Sequence, residues 1–121
     1  MTKVFTDVHV FMAAAGQTAT ENNTEQALLY HKLINEEYQE FCKARLDGND
    51  IETIDACFDM MWVIVGYMLS RGWDCERIWD EGSLSNLRKI DKQTRKVLKR
   101  EDGKILKPEG WKPPDFSQFV K

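Results

Sequence analysis

The chain has 121 residues, 42% of them hydrophobic and 31% charged, with a formal net charge of −3. That length and balance fit one globular domain with a real core and exclude a disordered polymer. Three cysteines, Cys42, Cys57 and Cys75, have no Cys-x-x-Cys spacing, which excludes a disulfide frame or zinc knuckle and reads as free thiols of a reducing cytoplasm.

The charge is unevenly spread. Residues 1–87 hold 6 Lys/Arg against 15 Asp/Glu, and residues 88–121 hold 11 against 5. An acidic body would repel a nucleic-acid duplex, so no nucleic-acid partner is expected. The N-terminus has no signal-peptide pattern, and the apolar run from Met60 to Leu69 is too short to span a bilayer. The expectation is a cytoplasmic protein with no membrane partner.

In chain order, residues 7–15 suit a short helix capped by Thr6 and ended by Gly16, with Val8, Phe11, Met12 and Ala15 on one apolar face. Residues 16–24 form a polar loop. Thr24 is the expected N-cap of a long helix from about residue 25 to 46, whose apolar residues recur at 3.6-residue spacing. A turn at Gly48-Asn49 leads to Asp50, the expected cap of a second long helix over 51–70. Its later half is apolar nearly all round, so it is expected at the buried centre, with Gly66 permitting close packing. About three long helices cannot enclose it, which predicts a homodimer or homotetramer. A third long helix is expected from Asp74 to about Lys89, burying Ile78, Trp79, Leu84 and Leu87. Lys92 to Arg100 fits either helix or extended chain, Asp102-Gly103 is a turn, and the Pro-rich end cannot be α-helical. The fold class is therefore an all-α bundle of mainly antiparallel helices, one domain over 1–121, with an extended basic C-terminal arm.

The chemistry concentrates on the two central helices. Glu36 and Glu37 each share a helix face with Glu40, and Asp55 shares one with Asp59. Large apolar residues border both faces. A buried, unpaired carboxylate costs several kcal/mol or takes up a proton instead. Like charges one turn apart add to that penalty. No basic residue lies between residues 46 and 70 to relieve it. Together the clusters ask for a shared cation, and oxygen-only ligands select Mg²⁺, with Mn²⁺ possible, over zinc. Glu36, Glu37 and Glu40 alone also suit a solvated helix face.

A second constellation is Glu81 with Ser85, Asn86 and Lys89. An amide and an ammonium one turn apart can both reach a phosphate, and Glu81 is placed to orient Lys89 or add a metal contact; an ordinary polar face is the other reading. Lys104, Lys107 and Lys112 lie on a Pro-stiffened end that can fold over a triphosphate, pinned by Ile105, Leu106 and Trp111, or remain a solvated tail. Nucleophilic catalysis is set aside: there is no Gly-x-Ser-x-Gly, no Gly-rich phosphate loop, and neither His9 nor His31 stands beside a Cys or Ser.

These segments, in this order and spacing over about residues 7–116, resemble the all-α nucleoside triphosphate pyrophosphohydrolase superfamily of MazG-like and phosphoribosyl-ATP pyrophosphohydrolase-like proteins. Glu36-Glu37-x-x-Glu40 matches its first metal motif. Asp55 and Asp59 occupy the second, with Ala56 where that motif carries a glutamate. The resemblance implies a dimerising helical bundle that hydrolyses a nucleotide substrate between its α and β phosphates, giving a monophosphate and pyrophosphate. It implies Glu37, Glu40, Asp55 and Asp59 as Mg²⁺ ligands and Glu36 as the group polarising water. It implies Asn86, Lys89, Lys104 and Lys107 as phosphate-binding residues. A non-catalytic nucleotide- or partner-binding module that retains the metal site is the alternative. The residues lining a base pocket are left unassigned, with Phe11, Gln17 and Trp62 open to that role.

Overall fold

A computed structural model describes residues 2–120. Among them are four α-helices and no strand: α1 Lys3–Ala14, α2 Thr24–Leu46, α3 Asp50–Ser70 and α4 Cys75–Leu87, followed by a short 3-10 turn at Ser117–Phe119. The all-α class read from the sequence holds. The chain divides into two compact units at Glu76/Arg77, and each is described by itself.

In the first unit α2 and α3 pack along their lengths and α1 packs on α3. The α2–α3 contact rests on one close approach. A Cβ placed on Gly66 would lie 2.2 Å from Tyr30 Cε1, so the tyrosine ring occupies the space a side chain there would fill. Tyr30 is nearly fully buried, and its hydroxyl donates to Gln17 Oε1 at 2.6 Å. Val8 and Met12 of α1, Val63, Val65 and Leu69 of α3, and Cys75 complete the core around that ring. Burial pushes the Cys75 thiol up to about 11, so it packs as a small apolar group.

The loop between α1 and α2 is tied to the end of α3. Asn23 N donates to Ser70 O at 2.6 Å, and Gln26 Nε2 donates to both Thr18 O and Ser70 Oγ at 2.7 Å. The helix starts differ from the sequence expectation in an instructive way. Asn23, not Thr24, caps α2 by accepting from Gln26 N, and Asn49, not Asp50, caps α3 by accepting from Glu52 N. In each case two cap-forming residues stand in succession and the first takes the role, adding one residue to the helix. α1 begins at Lys3 rather than residue 7. Thr2 is tied there by its own N–H and hydroxyl to the Glu76 carboxylate, at 2.5 and 2.7 Å.

Within the single chain α3 is only partly enclosed, as expected of a helix with too few neighbours: Val63, Val65, Gly66, Leu69 and Ser70 of its later half are buried. Ile51, Ile54, Phe58, Met61 and Ile64 are exposed, Ile54 at 69%. By length and composition α3 is even apolar enough to cross a membrane, although Asp55 and Asp59 lie on it. Two neighbouring helices cover only one side of a helix that is apolar nearly all round.

The second unit runs from Arg77 to Val120. Here α4 also departs from expectation: Trp79, Leu84 and Leu87 are exposed, while Ser85, at 1%, is buried. The physical reason is what covers the helix. The final segment runs back along it and seats aromatic rings on its small residues. Trp111 Nε1 donates to Ser85 O at 2.8 Å, Phe116 lies 3.4 Å from the Cβ position of Gly82, and Asp115 N donates to Glu81 Oε1. Leu84, Leu87 and Ile90 instead line an open concavity of about 450 Å³ with Arg88, Lys92 and Arg95 around it. Ile105 and Leu106, expected to pin this segment, are exposed. Between the helix and the final segment, residues 98–106 fold back on themselves through Leu106 N to Leu98 O and Arg100 N to Lys104 O.

The Tyr30–Gly66 contact predicts the outcome of one substitution. Gly66→Ala gains helix propensity but drives a methyl into the ring, so urea denaturation should show a net loss of roughly 1–3 kcal/mol. In a Tyr30→Ala background, itself destabilised, adding Gly66→Ala should cost less than it does in wild type, because the two changes share one contact.

Candidate functional site

The register set by Tyr30 over Gly66 carries down the helix pair. Seven residues further along α2 stands Glu37, and seven residues back along α3 stands Asp59, the displacement an antiparallel pair requires. The two carboxyl groups meet there, with Glu40 one turn on from Glu37 and Asp55 one turn back from Asp59. Glu37 and Asp59 are partly buried at the helix–helix contact, and Glu40 and Asp55 are exposed beside them.

That placement shows in their electrostatics. Burial, then the charge of Asp59 and Glu40 and a hydrogen bond with Glu40, push the Glu37 carboxyl up to about 7, with Asp55 adding to the effect. Burial, then Asp55 and Glu40, likewise hold Asp59 above the usual carboxylate range. One oxygen of Glu37, Oε2, is fully buried with no hydrogen-bond partner. Such an atom is costly unless something else supplies the missing positive charge. A hard divalent cation fits that requirement on both counts, the all-oxygen donor set and the partnerless buried oxygen. Among the described residues no three His, Cys, Asp or Glu side chains stand close enough to hold a metal ion as they are. Mg²⁺ characteristically takes one or two carboxylates and completes its shell with water and phosphate oxygens.

The structure thus brings together Glu37, Glu40, Asp55 and Asp59. Glu36 stands exposed on the flank of α2. Ala56 is 2% exposed, so a carboxylate at that position would be buried, whereas Asp55 is exposed on its helix and still acts on both Glu37 and Asp59. Around the next turn of α3, Trp62 meets Phe11 edge-on at 5.5 Å and Phe58 at 5.8 Å between ring centroids. Phe11 and Phe58 are both about half exposed, which leaves an aromatic surface one turn from Asp59. Gln17 is engaged by the Tyr30 hydroxyl.

In the second unit Lys89 and Lys107 both lie over the Trp111 ring, and Asn86 engages Lys89. Lys89 Nζ lies 4.9 Å and Lys107 Nζ 5.1 Å from the Trp111 centroid, and Lys89 Nζ donates to Asn86 Oδ1 at 3.1 Å. Lys104 belongs to the 98–106 turn, its N–H donating to Asp102 Oδ1. Glu81 does not orient Lys89; it accepts from the Asp115 backbone. Sequence reasoning gave Trp111 only an anchoring role and missed the helix position that receives it. The sole signal for that position was a small, polar Ser85 among larger neighbours.

A family model described as phosphoribosyl-ATP pyrophosphohydrolase matches residues 6–86. No curated protein matches the chain. The match takes in both acidic segments and ends at Asn86, before Lys89, Lys104, Lys107 and Trp111.

The raised carboxyls give stability a pH dependence of known sign. Between the ordinary value of 4.5 and about 7 the folded state keeps a proton on Glu37 that the unfolded chain has lost. The Glu37 contribution to metal-free stability should therefore be complete below about pH 4.5, fall as pH rises towards 7, and level off above it. Chemical denaturation at several pH values in a chelator checks this, and Glu37→Gln should remove most of the slope.

Proposed function

The chain belongs to the phosphoribosyl-ATP pyrophosphohydrolase family, within the MazG-like all-α superfamily, and on that premise we propose a divalent-metal-dependent nucleotide pyrophosphohydrolase. Its substrate is a nucleoside triphosphate or related nucleotide, opened between the α and β phosphates to a monophosphate and pyrophosphate. The observation that carries this reading is the meeting of Glu37, Glu40, Asp55 and Asp59 around a buried oxygen with no partner.

In this reading those four carboxylates hold Mg²⁺, with Mn²⁺ an acceptable substitute. When bound, such ions neutralise phosphate charge and make water a better nucleophile. The protein supplies the rest. Glu37 gives up its proton to become a ligand, which its raised pKa makes easy near neutral pH. Glu36, exposed beside the cluster on α2, accepts a proton from the attacking water. Lys89, Lys104 and Lys107 neutralise charge on the departing pyrophosphate, and Asn86 donates to a phosphate oxygen. The half-exposed rings of Phe11 and Phe58, with the partly buried Trp62 between them, offer a nucleotide base a stacking surface.

The exposed apolar side of α3 supports a second part of the proposal: a homodimer or homotetramer in which another copy covers Ile51, Ile54 and Met61. A cytoplasmic location accords with three free thiols. One observation favours a different reading, a nucleotide-binding module without turnover. Ala56 stands where the motif carries a carboxylate, and Asp55 reaches the cluster from the neighbouring position.

A panel of nucleotides with Mg²⁺, assayed for pyrophosphate against orthophosphate, separates the two readings. Pyrophosphate release is the expected result; tight nucleotide binding with no product supports the module. Asp59→Asn should lower turnover about 100-fold or more, the size of effect seen when one charge-stabilising group leaves an active site. Without metal the variant should be at least as stable as wild type, since a repulsive charge is gone. Mg²⁺ should raise the melting temperature of wild type and leave that of the variant unmoved.

Sedimentation at micromolar concentration tests the assembly. A dimer or tetramer is expected, and a fully active monomer contradicts the covered-face proposal.

A further inference from the structure

Lys89 and Lys107 share an arrangement that a solvated surface does not require. Each ammonium sits about 5 Å from the centroid of the same indole, so the two are within about 10 Å of one another, the sum of their distances to it. Like charges gain nothing from that proximity. Among the described residues neither lysine has an ion-pair partner, while Lys3, Lys43 and Arg100 each have one. The oxygen that Lys89 does engage belongs to Asn86 and carries no net charge.

The ring itself is held firmly. Trp111 N donates to Pro108 O at 3.1 Å, closing a turn in which Gly110 takes φ +79°, a conformation that favours glycine. At its other end the indole N–H donates to the Ser85 carbonyl on α4. Pro108 on one side and Pro113-Pro114 on the other stiffen the chain around it. Two long, flexible side chains are thus gathered by a rigid aromatic plate.

The chemical consequence lies in what the plate lacks. A carboxylate could gather two lysines as well, but it would neutralise one of them. An aromatic face attracts a cation through its quadrupole and carries no net charge, so both positive charges stay available to a ligand. We infer that Trp111 is a positioning residue that pre-organises Lys89 and Lys107 to receive the adjacent charges of one polyphosphate, pyrophosphate or the matching part of a nucleotide. The inference builds on the hydrolase reading for its biological sense, but the binding it describes can be measured without turnover.

The probe is inorganic pyrophosphate in metal-free buffer, titrated calorimetrically against the full chain, with orthophosphate in parallel. Wild type should bind pyrophosphate well above orthophosphate, because two gathered ammonium groups suit two linked phosphates. Trp111→Leu keeps an apolar side chain and loses the quadrupole. Two cation–π contacts at an exposed site predict a roughly 5- to 30-fold loss of pyrophosphate affinity. Trp111→Phe keeps a ring, loses the Ser85 hydrogen bond, and should fall between the two.

Lys89→Met with Lys107→Met leaves the plate intact and carries the test if Trp111→Leu does not fold; it should lose at least about 10-fold. In that lysine-free background Trp111→Phe should cost nothing further, a coupling that a purely structural tryptophan would not show. In turnover, Trp111→Leu should raise KM by more than it lowers kcat. Wild-type pyrophosphate affinity in either Trp111→Leu or the double lysine variant overturns the inference. Equal affinity for orthophosphate and pyrophosphate does the same. Absence of turnover with this binding pattern intact would reject the hydrolase reading and leave the inference standing; turnover without the pattern would do the reverse.

Discussion

Everything at the acidic site depends on how closely α2 and α3 approach at Gly66. With Tyr30 lying in the space a side chain would take there, the helices are locked in one antiparallel register. That register puts Glu37 opposite Asp59 seven residues away. A shift by one residue would rotate Asp59 by about 100° off the contact and turn Phe58 or Met60 towards α2 instead. The glycine and the tyrosine carry no chemistry of their own. They decide which chemistry the other residues can do.

The site runs against the preferences of the fold that holds it. Apolar helix faces bring α2 and α3 together, and the same faces carry acids that repel one another and resist desolvation. Without a cation the conflict is met by keeping a proton on Glu37 near neutral pH. A cation bound there would relieve the same repulsion, and the carboxylates would have to draw closer around it, since among the described residues no three stand close enough to hold a metal as they are. Local strain of this kind is characteristic of a functional position in an otherwise consistent helical sequence. The second unit solves a related problem differently, collecting positive charge on an aromatic ring so that like charges stand together without being cancelled.

Much of this was legible in the residues. The 3.6-residue periodicity located α2 and α3 to within a residue, the pairing of acids on one face of each was visible in the spacing, and Gly66 read correctly as a close-packing point. What was hidden depended on partners distant in sequence. Nothing near Thr2 announces that Glu76 will tie it and extend α1. Periodicity showed that α4 has a large apolar side, but not that Trp111 and Phe116 would cover its small residues instead. Lys89 and Lys107 stand eighteen residues apart, so their meeting on Trp111 follows from the path of the chain between them and not from any motif.

In the proposed hydrolase, the partly buried Glu37 carboxyl at the α2–α3 contact exchanges its proton for a divalent cation. Calorimetric titration of the metal-free protein with Mn²⁺ at pH 6.5, in buffers of different ionisation enthalpy, measures that exchange directly. The account predicts release of most of a proton per ion at pH 6.5 and almost none at pH 8.5, since Glu37 titrates at about 7. Binding whose heat is independent of the buffer at pH 6.5 would contradict it.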